Sequence, residues 1–347
     1  MLVSNFSRGK TMRIAVCFNE APATPARGET IDRISEQGAR HEAEAVQAAL
    51  HSLGHDAPLI PLQADLGDFI GRLRAADCDL VFNLCEGFWG DSSREMHVAA
   101  LLDLLGLTYT GATPYCLGLS QDKARSKDLF NAHHLPTPRH ILVRPGGHHP
   151  KLKGLTFPLI VKPRFEDASL GITGDSIVGT EKALQGRIRY IHQTYRQDAL
   201  VEEFIDGREF NVAIIGNDHP EVLPIAEIVF DAALPHAIVS YNGKWLEKSS
   251  EFTGTRPVCP ASLRFRQEFL IRDVGLRAYK LLECRDYARI DIRFRDGVPY
   301  ILEVNANPDI APDAGLARAA RVAGMTYPQF IAKMLGFAQR RKESQHA

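Results

Sequence analysis

No stretch of this 347-residue sequence approaches the roughly 20 consecutive apolar residues that a membrane span requires. The best one, residues 97–107, is broken by Asp103. Net charge is nearly absent: 41 Lys and Arg stand against 42 Asp and Glu, a formal charge of -1. That excludes bulk attraction to nucleic acid or to an anionic membrane as the basis of function. The six cysteines stand singly, at Cys17, Cys78, Cys85, Cys116, Cys259 and Cys284, with no CxxC among them. A chain this long builds a core without staples, so they read as free thiols in a reducing compartment, and a cytoplasmic location is expected. The N-terminus lacks the apolar centre of a signal peptide, and the first eleven residues read as an extension ahead of Met12 and the first strand. Walker A, GxGxxG, HExxH and GxSxG are all missing. A nucleotide bound here is therefore held by some other device.

What is present is ordinary globular composition, 45% hydrophobic and 24% charged, and length enough for two domains or three small ones. Residues 13–18 (RIAVCF), 58–62, 79–84 (DLVFNL) and 107–110 read as short strands. Helical spacing occupies 35–53, 66–76 and 93–105 between them. Strand and helix in alternation predict a parallel sheet and an α/β domain over 12–115. Residues 116–200 read as a smaller α+β unit, with a strand at 157–162 (FPLIVK), a turn at 146–150 and a helix at 181–196. Residues 201–340 form a third unit. There, 200–205 and 208–215 read as a hairpin turning at Asp206-Gly207. A long helix at 265–282 and strands at 287–294 and 299–304, joined through Asp296-Gly297, complete it.

That last hairpin carries chemistry. A strand has period two, so Arg289, Asp291 and Arg293 share one face and Ala288, Ile290, Ile292 and Phe294 the other. Pairing across the turn brings Asp291 beside Glu303 and Asn305. Two carboxylates and an amide oxygen suit Mg²⁺, although a solvated charged face explains the spacing equally well on its own. Lys162 ends an apolar strand and precedes Pro163, a place from which a lysine reaches a cleft. The loop behind it, RFEDASLGIT, is small enough for its amides to cradle phosphate.

Five segments in order make a pattern: YTGATPYCLGLSQDKARSK, FPLIVKPRFEDASLGIT, VEEFIDGREFNVAIIG, NGKWLEKSSEF and ARIDIRFRDGVPYILEVNANPD. The series resembles the ATP-grasp superfamily, and within it the D-alanine–D-alanine ligases, over residues 80–338. The resemblance implies a mixed α/β and α+β fold in which two α+β domains clamp ATP behind an N-terminal parallel-sheet domain. It implies an ATP-dependent carboxylate–amine ligase acting through an acyl phosphate, with small-molecule acid and amine substrates. Lys123 and Lys162 match lysines on the ATP phosphates, and Lys244 matches one aimed at the γ-phosphate. Glu202, Glu203, Phe204 and Ile205 match the segment at the adenine edge, and Leu302 joins the ATP-binding set. Glu209 matches a ribose carboxylate, and Ser169 lies in the phosphate loop. Asp291, Glu303 and Asn305 match Mg²⁺ ligands, for which Mn²⁺ is a chemical substitute. Arg289 matches the arginine that stabilises the acyl phosphate. The family's habit of dimerising through its N-terminal domain leaves a homodimer open.

The chain departs from the family pattern on the substrate side. Ala168 replaces the first serine after VKP, Trp245 replaces a tyrosine, and Asp309 stands where the family's substrate loop has glycine. An aspartate there repels a carboxylate and suits an ammonium. The glutamate that grips the first substrate has no clear counterpart, with Glu36 a weak substitute, and the family's His-Gly reads Cys85-Glu86-Gly87. Trp89, in the loop after a sheet strand, is a candidate cleft residue. The expectation is a ligase with a conserved nucleotide side whose substrates are not two D-alanines. A ligase for a larger peptide or carrier-bound acid, with room made by the polar loop at 20–35, and a non-catalytic ATP-binding protein are the alternatives.

Overall fold

The computed structural model describes residues 11–20, 33–146, 152 and 154–345, with side chains from residue 38 in the first helix. The expected N-terminal extension, most of the loop at 20–35 and most of the turn at 146–150 lie outside the described residues. The N-terminal part runs β1 (Ile14–Asn19), α1 (Arg33–Ser52), β2 (Leu59–Leu62), α2 (Leu66–Ala76), β3 (Leu80–Leu84) and α3 (Glu95–Leu104). Its three strands form a parallel sheet of order β2-β1-β3. Both faces of β1 are covered, as a parallel sheet requires. Ile14, Val16 and Phe18 enter one core, and Ala15 and Cys17 the other. The run at 107–110 adds a single parallel bridge, Val81 to Tyr109, instead of a strand. Of the six free cysteines, Cys78 and Cys259 are only half-buried.

Next come α4 (Pro114–Gln121), α5 (Lys123–Ala132), β4 (His140–Val143), β5 (Leu159–Pro163), β6 (Ile177–Val178), α6 (Glu181–Tyr190) and β7 (Ala199–Glu203). The four strands form an antiparallel sheet, β4-β7-β5-β6, over a small core of its own with α6. The remainder is β8 (Arg208–Ile215), β9 (Glu221–Val222), β10 (Ala226–Phe230), α7 (Tyr241–Trp245), α8 (Ser250–Thr253), β11 (Thr255–Val258), α9 (Phe265–Leu281), β12 (Tyr287–Arg295), β13 (Val298–Asn305), α10 (Gly315–Val322) and α11 (Tyr327–Gln345). These strands order as β11-β10-β8-β12-β13, with β9 pairing β8.

The expected hairpin at 206–207 does not form. β7 belongs to the four-stranded sheet and β8 to the six-stranded one. Gly207 is there for close approach, not for a turn: a Cβ on it would lie 2.4 Å from the Phe294 carbonyl oxygen. Asp206-Gly207 is thus the crossing point between the two sheets. The Asp296-Gly297 hairpin does form, with both residues at positive φ (53° and 80°), the conformation that matches strand twist. Its register pairs Arg289 with Asn305 and Asp291 with Glu303, and a bulge follows Asp291.

Candidate active site

The two antiparallel sheets face each other across a cavity of about 790 Å³. Its lining includes Lys123, Lys162, Ser169, Lys244, Arg289, Asp291, Leu302 and Glu303, together with the 202–205 segment and Glu209. Each side chain is placed by an element. Lys123 opens α5, whose N-cap is Asp122 accepting from the Arg125 N–H (3.2 Å). Arg164 pairs with the same Asp122 (2.5 Å) and ties the phosphate loop to that helix. The buried Lys123 ammonium donates to the Glu166 carbonyl (2.7 Å) and Asp167 (2.8 Å) and lies 3.5 Å from Glu303. Burial opposes its charge, but Asp167 and Glu303 hold its pKa above the usual lysine value.

Lys162, on β5, pairs with Glu202 on β7 (2.7 Å), and Glu202 also pairs with Lys127 (2.6 Å). Glu202 is therefore a buried counter-ion to two lysines. Burial pushes its carboxyl up, yet the two ammoniums hold it down to about 2. The sequence reading missed Lys127; the signal was its position four residues after Lys123 on one helix face. In the same segment the Glu203 N–H donates to Arg139 (2.9 Å) and the Phe204 N–H to Pro158 (3.2 Å). Ile205 is a buried residue of the cavity wall, and its N–H meets no acceptor among the described residues. Glu209 accepts two bonds from Arg293 (2.8 and 2.6 Å).

Arg289 grips Asp291 with two bonds of 2.8 Å, and Asn211 donates to the same carboxylate (2.7 Å). No three His, Cys, Asp or Glu side chains among the described residues are grouped so as to hold a metal ion by themselves. A divalent ion here would rest on Asp291, Glu303 and the Asn305 amide, completed by substrate oxygens. These hard donors on paired strands fit Mg²⁺. Lys244 has no carboxylate within ion-pair distance among the described residues, and lies 4.9 Å from the Trp245 ring centre. Burial and then Arg289 lower its pKa.

The loop after β5 and the segment that carries α7 touch each other. Ser169 Oγ donates to Val239 O (2.9 Å), Tyr241 N–H to Ile172 O (2.8 Å), and Trp245 Nε1 to Ala168 O (3.0 Å). Ala168 and Ser169 both sit at positive φ (52° and 62°). For non-glycine residues that stores about 1–2 kcal/mol each, held by these contacts.

A second cavity, about 510 Å³, joins the first at Lys244, Trp245, Arg289 and Asp309, and runs to the C-terminal end of β1. Trp89, 53% exposed and bonded through Nε1 to Ala64 O (3.0 Å), stands in its wall. Asn305 faces this side. Asp309 accepts from the Ala311 N–H (2.8 Å). Glu36 falls in α1, where its side chain lies outside the described residues; the α1 carboxylate in the cavity is Glu42, accepting from the Ile310 N–H (2.8 Å). Glu42 was legible in principle, because it shares the buried helix face with Val46, Ala49 and Leu50. Enclosure and then Asp309 push the Glu86 carboxyl up to about 7, although its side chain still meets cleft solvent, which damps the effect.

Two antiparallel sheets closing on a cavity lined by Lys123, Lys162, Lys244, Arg289 and the paired carboxylates Asp291 and Glu303 define an ATP-grasp protein. The family described as "D-ala D-ala ligase C-terminus" matches residues 130–336. The chain belongs to this family of ATP-grasp ligases. A D-alanine–D-alanine ligase of Cupriavidus taiwanensis is 31% identical over 84% of this chain and 85% of that protein. The protein y4sG of Sinorhizobium fredii, itself uncharacterised, is 37% identical over 86% of this chain and 88% of its own. The crystal structure of Bacillus anthracis D-alanine–D-alanine ligase complexed with ATP superposes with a TM-score of 0.77 over 96% of this chain and all of that one, at 23% identity.

Proposed function

We propose that this protein uses Mg-ATP to join a carboxylic acid to an amine. One observation carries the reading: the cations Lys123, Lys162, Lys244 and Arg289 and the paired carboxylates Asp291 and Glu303 line one cavity, which opens directly into a second. The substrate carboxylate oxygen attacks the γ-phosphorus of ATP. The bond to the β,γ-bridging oxygen breaks, ADP leaves, and an acyl phosphate forms. The amine nitrogen then attacks the acyl carbon, loses a proton, and expels phosphate.

The chain's own residues supply positioning and charge. Lys123 and Lys162 hold phosphate oxygens, Lys162 kept in place by Glu202. The Ile205 N–H meets the adenine edge, and Glu209, steadied by Arg293, meets the ribose. Lys244 faces the γ-phosphate. Arg289 stabilises charge on the acyl phosphate and the tetrahedral intermediate. Asp291, Glu303 and Asn305 would hold Mg²⁺, which would neutralise charge on the phosphate oxygens. The 164–173 and 240–252 segments exclude water. Ala168, Trp245 and Asp309 support a substrate pair other than two D-alanines. The family's ligase relatives do not favour a carrier-bound acceptor or a non-catalytic role.

Phosphate release from Mg-ATP, scanned over single and paired D- and L-amino acids with mass spectrometry of the products, tests this. One ADP and one phosphate per amide product is the expected result. Bound ATP without turnover for any pair overturns the ligase reading. D-alanyl-D-alanine made at ordinary enzymic rates overturns the substrate part alone.

A further inference from the structure

The second cavity carries an excess of one charge. Among the described residues its lining holds eight carboxylates and two cations, Lys244 and Arg289. Three of the eight pair with a lysine or arginine, Glu20 with Arg40, Asp91 with Arg94 and Asp167 with Lys123, and Glu166 accepts from Gln197 and Ser92. The other four are Glu42, Glu86, Glu95 and Asp309, and none comes within ion-pair distance of a lysine or arginine among the described residues. They arrive from four different places: α1, the loop after β3, the start of α3, and the loop after β13. A helix N-terminus accounts for a carboxylate at Glu95 and for no other.

Glu95 supplies the independent sign of a missing ligand. It is 7% exposed; Asn307 hydrogen-bonds its carboxyl, and its Oε1 has no hydrogen-bond partner among the described residues. A buried carboxylate oxygen left bare costs stability unless something arrives to meet it. Burial raises the Glu42 and Glu95 carboxyls, and neighbouring carboxylates raise both of these and Glu86. One α-ammonium brings a single positive charge against four carboxylates. The volume, about 510 Å³, is in the range that encloses ligands much larger than alanine. Leu62, Phe88 and Leu170 in the lining offer apolar surface for a methylene stem.

Resting on the ligase reading above, we infer that one substrate is an amino acid with a cationic side chain. Its ammonium or guanidinium lies among Glu42, Glu86, Glu95 and Asp309, and its reacting end faces Arg289 and Lys244. The departure of this chain from the glycine at position 309 is then a change of specificity: a neutral loop has become part of a cation site.

The experiment pairs isosteres: lysine with norleucine, ornithine with norvaline, arginine with citrulline, each as D and L forms, and each combined with the acid and amine panel. Phosphate release and product mass are read with the full chain and Mg-ATP. The expected kcat/KM for the cationic member exceeds that of its neutral isostere by about 100-fold or more, because buried charges reject an uncharged analogue. Glu95→Gln should cut that ratio at least about tenfold, and Glu42→Gln is the second variant should the first fail to fold. Equal use of neutral isosteres, or a ratio unmoved by both variants, overturns the inference and leaves the ligase reading standing. No phosphate release with any pair overturns both.

Discussion

Glu202→Gln is the most exacting perturbation of this fold. The carboxylate is 1% exposed, 2.6 Å from the Lys127 ammonium and 2.7 Å from that of Lys162. Two estimates of its worth agree. The gap between about 2 and the ordinary value of 4.5 corresponds to about 3 kcal/mol, at about 1.36 kcal/mol per tenfold. Removing one partner of a buried ion pair costs about 3–5 kcal/mol. Because the folded pKa is lowered, this stability is present above pH 4.5 and fades as pH falls toward 2. Burial also depresses Lys127, which offsets part of the gain. At pH 7.5 the variant should lose about 3 kcal/mol, lowering Tm by about 5 °C or more in a thermal melt. Its KM for Mg-ATP should rise about tenfold, since Lys162 loses the group that aims it. Adding Lys127→Met should restore at least about 1.5 kcal/mol, because one stranded ammonium is removed. A loss below about 1 kcal/mol in the single variant, or simple additivity in the double, refutes the reasoning.

Arg289→Lys should lower kcat by about 10²- to 10³-fold with binding of a fluorescent ATP analogue retained; unchanged kcat would remove Arg289 from the chemistry. Gly207→Ala forces a Cβ to 2.4 Å from a backbone oxygen, so a loss of about 2 kcal/mol or more is expected in urea unfolding, and a neutral result contradicts the crossing described here. Glu86→Gln tests the crowding of carboxylates by its sign. A raised carboxyl costs the fold stability once pH exceeds its ordinary value, with the full cost above about 7. The variant should therefore melt higher than the parent at pH 8 and equally at pH 4; a lower Tm at pH 8 contradicts the assignment.

Local chemistry made much of this protein readable without coordinates. The period-two pattern at 287–305 with Asp296-Gly297 between its halves forces Asp291 opposite Glu303 in any antiparallel pairing, because turn type sets register. The apolar runs of the first 84 residues, separated by helical spacing, similarly require a parallel sheet covered on both faces. Asp206-Gly207 misled because the dipeptide serves a tight turn and a close backbone approach equally well; only the distant Phe294 carbonyl distinguishes them. Glu202 and Lys127 lie 75 residues apart in sequence, and neither spacing nor composition pairs them. The same holds for Glu42, Glu86, Glu95 and Asp309. The sequence by itself determined most local elements and the pairing of Asp291 with Glu303, since each depends on neighbours within one strand, turn or helix. Only the tertiary structure decided which charges are neutralised and which are left bare, because ion pairing is settled by distances across elements, and those distances exist only once the sheets have closed on each other.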